Sequence, residues 1–161
     1  MKRPIVAGAP IALVAVLAGL TLHAADTLTW PWKDKKPADP ALALLSKIDE
    51  LVVSVSATKP QALTISVKAS APTSGFTELQ LTPRIGDPKD LIFAFDARGR
   101  SPQDTTTQVI TPVTINAVYG NAPLGSVRVI EVYAQDNCKA YSLKDKSEVP
   151  CTQKSGPQQT L

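Results

Sequence analysis

The sequence predicts an all-β protein, an immunoglobulin-like antiparallel β-sandwich of six to seven strands. Between residues 50 and 135, apolar and often β-branched residues alternate with polar ones, as in strands that have one wet face. These stretches recur roughly every twelve residues and are separated by Pro, Gly, Asp or Ser, without a helical pattern between them. A closed barrel is the alternative architecture, since it would show the same alternation.

The chain begins with the three-part layout of a secretory signal peptide. Lys2 and Arg3 form a basic start, a long uncharged and mostly apolar stretch follows, and Ala24 is a small residue at the cleavage position. We therefore expect residues 1–24 to be removed on export. The alternative is an uncleaved inner-membrane anchor through residues 4–25, because a spanning helix needs roughly 20 mostly apolar residues.

Residues 25–49 are predicted to form a linker that contains one short helix. Three prolines in this part of the chain each remove a backbone donor and disfavour helix at the preceding residue. Asp39 is a suitable N-cap for a helix that has the last of these prolines, Pro40, at its first position, and apolar residues follow at helical spacing.

The predicted sandwich domain, residues 50–135, begins with a hairpin. Residues 51–57 and 63–69 alternate regularly, and the short connection between them has turn chemistry. Further strands are predicted at 79–81, 91–95, 109–119 and 127–134, with Pro112 indicating a bulge or an edge. The predicted core consists of Leu63, Ile65, Val67, Phe93, Phe95, Val113, Ile115, Val127 and Val129.

Residues 136–161 are predicted to form a polar tail that a disulfide staples to the last strand. Cys138 and Cys151 are the only cysteines, and export would place them in an oxidising compartment. A bridge that closes a loop of this size stabilises a fold by about 3 kcal/mol in the loop-entropy model. The two cysteines are not in a Cys-X-X-Cys arrangement, so we do not expect a redox-active pair. The Gln-rich end of the tail is predicted to be disordered.

The exported chain would contain no histidine, because His23 lies in the leader. Histidine-dependent nucleophilic catalysis and zinc ligation are therefore not expected, and no metal or other cofactor is predicted. Carboxylate chemistry remains open, and Asp87, Asp90, Asp96 and Asp104 all fall near predicted turns. Since no Asp-X-Asp calcium loop is present, we interpret them as solvated turn residues.

The charge balance argues against a nucleic-acid partner. The formal net charge is +3 at pH 7, but two of the 17 Lys and Arg residues, Lys2 and Arg3, lie in the leader. The other 15 are balanced by 14 acidic residues, which leaves a net charge of +1. Phosphate binding needs clustered positive charge, so no nucleic-acid partner is predicted.

The loop over residues 98–107 is the candidate binding surface. It is polar and has two arginines around a glycine, and loops on rigid sheets often carry recognition residues. Arg98 and Arg100 are suited to bidentate contacts with carboxylates of a partner, and Asp104 completes the predicted set.

One segment resembles a family. Pro72–Thr77 followed by Leu81–Arg84 is similar to small exported bacterial proteins of unknown function, in which Pro-Thr-X-Gly-aromatic-Thr leads into a Leu-X-Pro-Arg strand. Phe76 stands where Trp is commoner in that family. The resemblance covers roughly residues 50–135 and implies export and a β-sandwich. It implies no activity for any residue.

These observations predict an exported, non-enzymatic binding or accessory module, periplasmic or secreted, with an unknown protein or peptide partner. Recognition would use an open sheet edge, to which a peptide adds a strand, or the loop over 98–107. No stable membrane span is expected once the leader is cleaved. Two alternatives remain: a carboxylate-dependent hydrolase, and a structural subunit of a cell-surface assembly that exchanges residues 30–36.

Overall fold

The computed structural model describes residues 27–34, 39–84, 91–103, 108–153 and 156. Within them, strands dominate, and they form two sheets that pack face to face. The predicted all-β sandwich is therefore confirmed, with ten strands in the described residues rather than six or seven. The strands are β1 Thr27–Leu28, β2 Leu42–Leu44, β3 Lys47–Val55, β4 Leu63–Ala71, β5 Thr77–Pro83, β6 Ile92–Arg100, β7 Thr111–Tyr119, β8 Val129–Tyr133, β9 Cys138–Ser142 and β10 Ser147–Val149; the helix α1 is Pro31–Asp34, and a 3₁₀ turn covers Leu124–Ser126.

Sheet A has the strand order β1-β7-β4-β3. β3 and β4 have nine residues each and pair as antiparallel neighbours, which confirms the predicted hairpin. β4 also pairs with β7 along its whole length, whereas β1 pairs in parallel with only Val118 and Tyr119 of β7. At Pro112, β7 pairs with β4 on one side, and on its other side no strand of the described residues pairs with it. An edge is where the missing N–H of Pro112 is tolerated, as the sequence predicts.

Sheet B has the order β10-β9-β8-β6-β2, and β5 pairs with β6 as well. β6 pairs in parallel with β8 over residues 92–96 and antiparallel with β2 over residues 98–100. The chain passes through β7 in sheet A between β6 and β8, so these two strands need not reverse direction. The parallel pairs β1–β7 and β6–β8 make both sheets mixed, and the prediction of purely antiparallel sheets is wrong there. The immunoglobulin-like connectivity stays a prediction.

The core lies between the two sheets and follows the predicted alternation. Seven of the nine predicted core residues are buried in one cluster: Leu63, Ile65, Val67, Phe93, Phe95, Ile115 and Val127. Val113 is partly buried against this cluster, and Val129 is half-buried on β8. The inward side chains of β4 and β6 therefore pack against each other, and the alternate positions of both strands face outward.

The start of the described chain belongs to the sandwich and is not a linker. Trp30 is buried in the core, beside β1 and α1. The helix predicted after Asp39 is also wrong, because β2 and the start of β3 occupy that stretch. Here the chain crosses from sheet B to sheet A and buries Leu42, Leu45 and Ile48, so the spacing of buried residues resembles that of a helix.

The predicted tail contributes two strands, β9 and β10, to sheet B. The predicted Cys138–Cys151 disulfide is present, with an S–S distance of 2.12 Å, and joins the start of β9 to the residue beyond Pro150. The Gln-rich end that the sequence predicts as disordered lies largely outside the described residues.

Candidate functional site

Two of the three predicted binding residues lie on a strand rather than in a loop. β6 continues through Arg100, because β2 and β5 both pair with its last residues. Arg98 and Arg100 therefore project from a sheet, which corrects the prediction that the loop begins at residue 98. Asp104 lies outside the described residues.

Arg100 is already paired with carboxylates of its own chain. Its Nε and Nη2 donate to the two carboxylate oxygens of Glu78 at 2.8 and 2.9 Å, and Nη2 also donates to Asp39 at 3.1 Å. The hydrogen bond to Glu78 raises the pKa of Arg100, and the same bond lowers the pKa of Glu78. The backbone N–H of Ala41, and then Arg100, lower the pKa of Asp39. A partner carboxylate would have to displace these contacts.

A second set of charges lies on the outer face of sheet B, and we call it the outer-face cluster. Phe95 and Ala97 of β6 point into the core, so their neighbours point to the opposite face. β8 alternates in the same way around Val132. The outer-face cluster consists of Arg84, which follows β5, Asp96 and Arg98 on β6, and Glu131 and Tyr133 on β8.

Asp96 bridges the two arginines of this cluster. Its Oδ2 accepts from Arg98 Nη2 at 2.9 Å, and its Oδ1 lies 3.0 Å from Arg84 Nε in an ion pair that lacks hydrogen-bond alignment. Arg98 Nη1 also donates to the Leu42 carbonyl at 3.1 Å. Asp96 is only 2% exposed and Arg84 5%, so both charges are compensated inside the protein.

Glu131 and Tyr133 form the other half of the cluster. Both are fully buried, and the Tyr133 hydroxyl donates to Glu131 Oε2 at 2.6 Å. Burial and this hydrogen bond raise the pKa of Tyr133 to about 12, so the phenol keeps its proton at neutral pH. The guanidinium carbon of Arg84 lies 4.0 Å from the centre of the Tyr133 ring, a cation–π contact that links the two halves.

The C-terminal segment, by which we mean Thr152, Gln153 and Gly156, covers this cluster. The Thr152 N–H and hydroxyl donate to the two oxygens of Glu131 at 2.8 and 3.0 Å. The Gln153 N–H donates to the Tyr133 hydroxyl at 3.0 Å. Arg84 Nη2 donates to the Gly156 carbonyl at 2.6 Å, and the Gly156 N–H donates to the carbonyl of Ala134 at 3.0 Å.

Arg84, Glu131 and Tyr133 are not among the site residues that the sequence predicts. A signal for one of them exists, because Glu131 interrupts an otherwise apolar stretch, Val129 to Ala134. A charged residue that belongs to neither a turn nor an obviously wet face needs a partner when it is buried. One partner, Tyr133, is on the same face of β8, but the other, Thr152, comes from a separate part of the chain that the sequence alone does not identify.

A different feature appears at the last strand of sheet A, an open edge on β3 that spans residues 50–55. At the start of β3 the Ile48 N–H donates to Asn137 Oδ1 at 2.7 Å, and Asn137 Nδ2 donates to the Ile48 carbonyl at 2.8 Å. The register then shifts between Ile48 and Glu50. Beyond this bulge, no strand of the described residues pairs with the outer side of β3. We call residues 50–55 the β3 edge.

The described residues contain no group of three His, Cys, Asp or Glu side chains that could hold a metal ion. In the same part of the chain, no helix combines the length and the apolar character of a membrane span. Three of the four carboxylates considered for catalysis, Asp87, Asp90 and Asp104, lie outside the described residues, and the fourth, Asp96, is held between two arginines.

No family model matches this chain, and the chain matches neither a curated protein nor a solved structure. The resemblance of residues 72–84 to small exported bacterial proteins stays a prediction.

Proposed function

We propose that this protein is an exported, non-enzymatic binding module that adds an extended peptide of a partner protein to the β3 edge. The observation that carries the proposal is that β3, a nine-residue strand, has no neighbouring strand on its outer side among the described residues. Strand addition to such an edge is a recurring mode of peptide recognition, in which main-chain hydrogen bonds provide the affinity.

The hydrogen-bond pattern of the hairpin identifies the backbone groups that would bind. The Ser56 N–H donates to the Ala62 carbonyl at 2.9 Å, so this pair is hydrogen-bonded. Bonded and non-bonded pairs alternate in an antiparallel ladder, which places Leu51, Val53 and Val55 at the non-bonded positions. Their N–H and C=O groups therefore point to the open side of β3.

Side chains at the β3 edge support an extended and partly apolar ligand. Val52 is 48% exposed and Val55 39% exposed. The hydrogen bonds between Asn137 and Ile48, together with the bulge, close the edge at its other end, so an added strand would end beside Glu50. These limits favour a ligand of about six residues, the length of a usual strand.

Export is part of the proposal, and the protein would then be periplasmic or secreted. The Cys138–Cys151 disulfide suits an oxidising compartment. Mass spectrometry of the protein from a bacterial periplasm should find Ala25 at the N-terminus and no free thiol. An intact Met1 on membrane-bound material would instead favour the inner-membrane anchor.

The two alternative functions have weaker support. Both carboxylate oxygens of Asp96 are engaged by arginine, which leaves that acid poorly placed for a hydrolase. In a cell-surface assembly residues 30–36 would be exchanged between copies, but Trp30 is buried in the core of its own chain. Deletion of residues 26–39 tests the assembly alternative, which fails if the shortened chain self-associates as the intact chain does.

The binding test starts from random peptides displayed on phage and selected on the mature chain. A selected peptide should shift the ¹H–¹⁵N resonances of Leu51, Val53 and Val55. The substitution Val55→Pro removes one outward N–H at an exposed position and should weaken binding by about fivefold, since one backbone hydrogen bond contributes about 1 kcal/mol.

The control for this test is Val55→Thr, which keeps the amide and the β-branched shape and should bind like the wild type. The proposal fails if the library returns no binder whose resonance shifts map to β3. It also fails if Val55→Pro and Val55→Thr bind a selected peptide equally well while both remain folded.

A further inference from the structure

We propose that the outer face of sheet B is a second polypeptide-binding site, and that the C-terminal segment is the ligand that occupies it in cis. This site is separate from the β3 edge, since it belongs to the other sheet and uses side chains as well as backbone. Its ligand class is an extended peptide that presents a Ser or Thr hydroxyl and main-chain N–H and C=O groups.

The outer-face cluster recognises mainly the backbone of the segment. Of the contacts described above, the Thr152 hydroxyl is the only side-chain group that the segment contributes. The other groups are the N–H of Thr152 and Gln153 and both main-chain groups of Gly156. Since every polypeptide has such groups, a different peptide can make the same contacts, with glycine favoured at the position of Gly156 because its φ is positive.

The chemistry of the face fits a removable cover better than a permanent one. A segment that served only to shield the sheet would be held more strongly by apolar contacts, because buried charges are costly to desolvate. Here Asp96 is paired with Arg84 and Arg98 within the sheet, so these charges stay compensated when the cover leaves. Glu131 accepts from the Thr152 N–H and hydroxyl, both of which water can replace. The face is therefore compatible with both an occupied and an open state.

The segment itself has the properties of a tethered ligand. It belongs to none of the strands, and it follows directly after Cys151, which the disulfide fixes to the start of β9. A short tether of this kind gives an effective concentration in the mM range. A peptide added in trans must compete with it, so binding to the intact protein is expected to be weak.

The experiment weakens the internal ligand in the full mature chain and supplies the same sequence from outside. Gly156 has a φ of +97°, which a β-branched residue adopts only under strain, so Gly156→Val should release the segment. The probe is a fluorescent, N-acetylated peptide of residues 152–161. Its Kd should be about tenfold lower for Gly156→Val than for the wild type, because the competitor in cis is weakened.

Two further variants identify the face as the site. Gly125→Val makes the same substitution at an exposed glycine with open space around it, and it should bind the probe as weakly as the wild type does. Glu131→Gln combined with Gly156→Val removes the carboxylate that accepts from Thr152, and it should lose the probe. Resonance shifts at residues 131–134 of the Gly156→Val protein locate the probe without any change to Glu131.

Equal binding of the probe to the wild type and to folded Gly156→Val, or no binding to either, overturns the proposal. If Gly156→Val does not fold, Thr152→Ala removes the hydroxyl contact to Glu131 and is judged by the same two outcomes. Val55→Pro alters only the β3 edge, so its effect on the library peptide separates failure of the proposed function from failure of this site.

Discussion

A single carboxylate, Asp96, compensates the two arginines of the outer-face cluster. It is buried, and Arg84 and Arg98 approach it from a neighbouring loop and from its own strand. A buried charge is tolerated only when it is paired, so each member depends on the other two. The sequence shows these residues as ordinary charges near turns. Their pairing depends on β5 and β6 being neighbours.

Asp96→Asn should therefore destabilise the fold strongly. The substitution keeps the shape but leaves two arginines without their carboxylate, and breaking a buried ion pair costs about 3–5 kcal/mol. Urea unfolding measures this loss. Glu148→Gln removes an exposed partner of Lys139 and should change the free energy of unfolding by less than about 1 kcal/mol. Similar losses for the two variants would contradict the prediction.

Tyr133 makes the stability of the fold decrease as the pH rises in the alkaline range. Burial, and then Glu131, raise its pKa from 10.0 to about 12. The folded protein holds the phenolic proton more tightly than the unfolded chain, so this stabilisation is complete below about pH 10 and is lost as the pH rises towards about 12. Urea unfolding across that range should show a shallower decline for Tyr133→Phe. Some decline remains, because burial also raises the pKa of Tyr119. Parallel curves for the two proteins would contradict this assignment.

At the scale of elements, strands with a clear run of apolar or alternating residues were predictable, and very short or mostly polar strands were not. The β3–β4 hairpin depends on a local turn and a local alternation, both of which are visible in the sequence. β2 was missed because it has three residues and precedes a crossing between sheets. β9 and β10 were missed because their residues are mostly polar, although Ala140 and Ser142 are buried.

Asn137 joins two of these elements, since its side-chain amide satisfies both backbone groups of Ile48 at the bulge of β3. Asn137→Ala should cost about 1–3 kcal/mol, the penalty for leaving buried polar groups without partners. Hydrogen exchange should also become faster at the Ile48 amide.

The matched control for this substitution is Asn116→Ala on β7. The Asn116 side chain accepts from the Ser66 hydroxyl at 2.7 Å on the exposed face of sheet A, where water can replace it. We expect little change in the free energy of unfolding for this variant. An equal loss of unfolding free energy for the two alanine variants would show that the Asn137–Ile48 hydrogen bonds stabilise the fold no more than the exposed Ser66–Asn116 contact does.

At the scale of the whole molecule, the residues after the predicted leader complete the sandwich. Trp30 lies between the sheets, and its ring makes edge contacts with Phe93, Phe95 and Tyr119 at centroid distances of 5.1, 6.0 and 5.2 Å. Trp32 is half-buried against the same two phenylalanines. The segment therefore fills the core, although its prolines and lysines indicate a linker.

Trp30→Ala should lower the free energy of unfolding by about 3–5 kcal/mol, because it removes a buried aromatic side chain and leaves a cavity. Trp32→Ala should cost less, since Trp32 is already partly solvated. Thermal or urea unfolding compares the two variants. A smaller loss of unfolding free energy for Trp30→Ala than for Trp32→Ala would instead support the prediction that residues 25–49 are a linker.

The sequence by itself determined that the segments of β3 to β8 form strands, most of the residues with which they face the core, and which cysteines pair. Alternation and turn chemistry are local, and two cysteines allow one bridge. Only the tertiary structure decided the direction of β6 against β8, the inclusion of Trp30 in the core, and the burial of Glu131. These features depend on which distant strands become neighbours, and a period of two is the same for parallel and antiparallel partners.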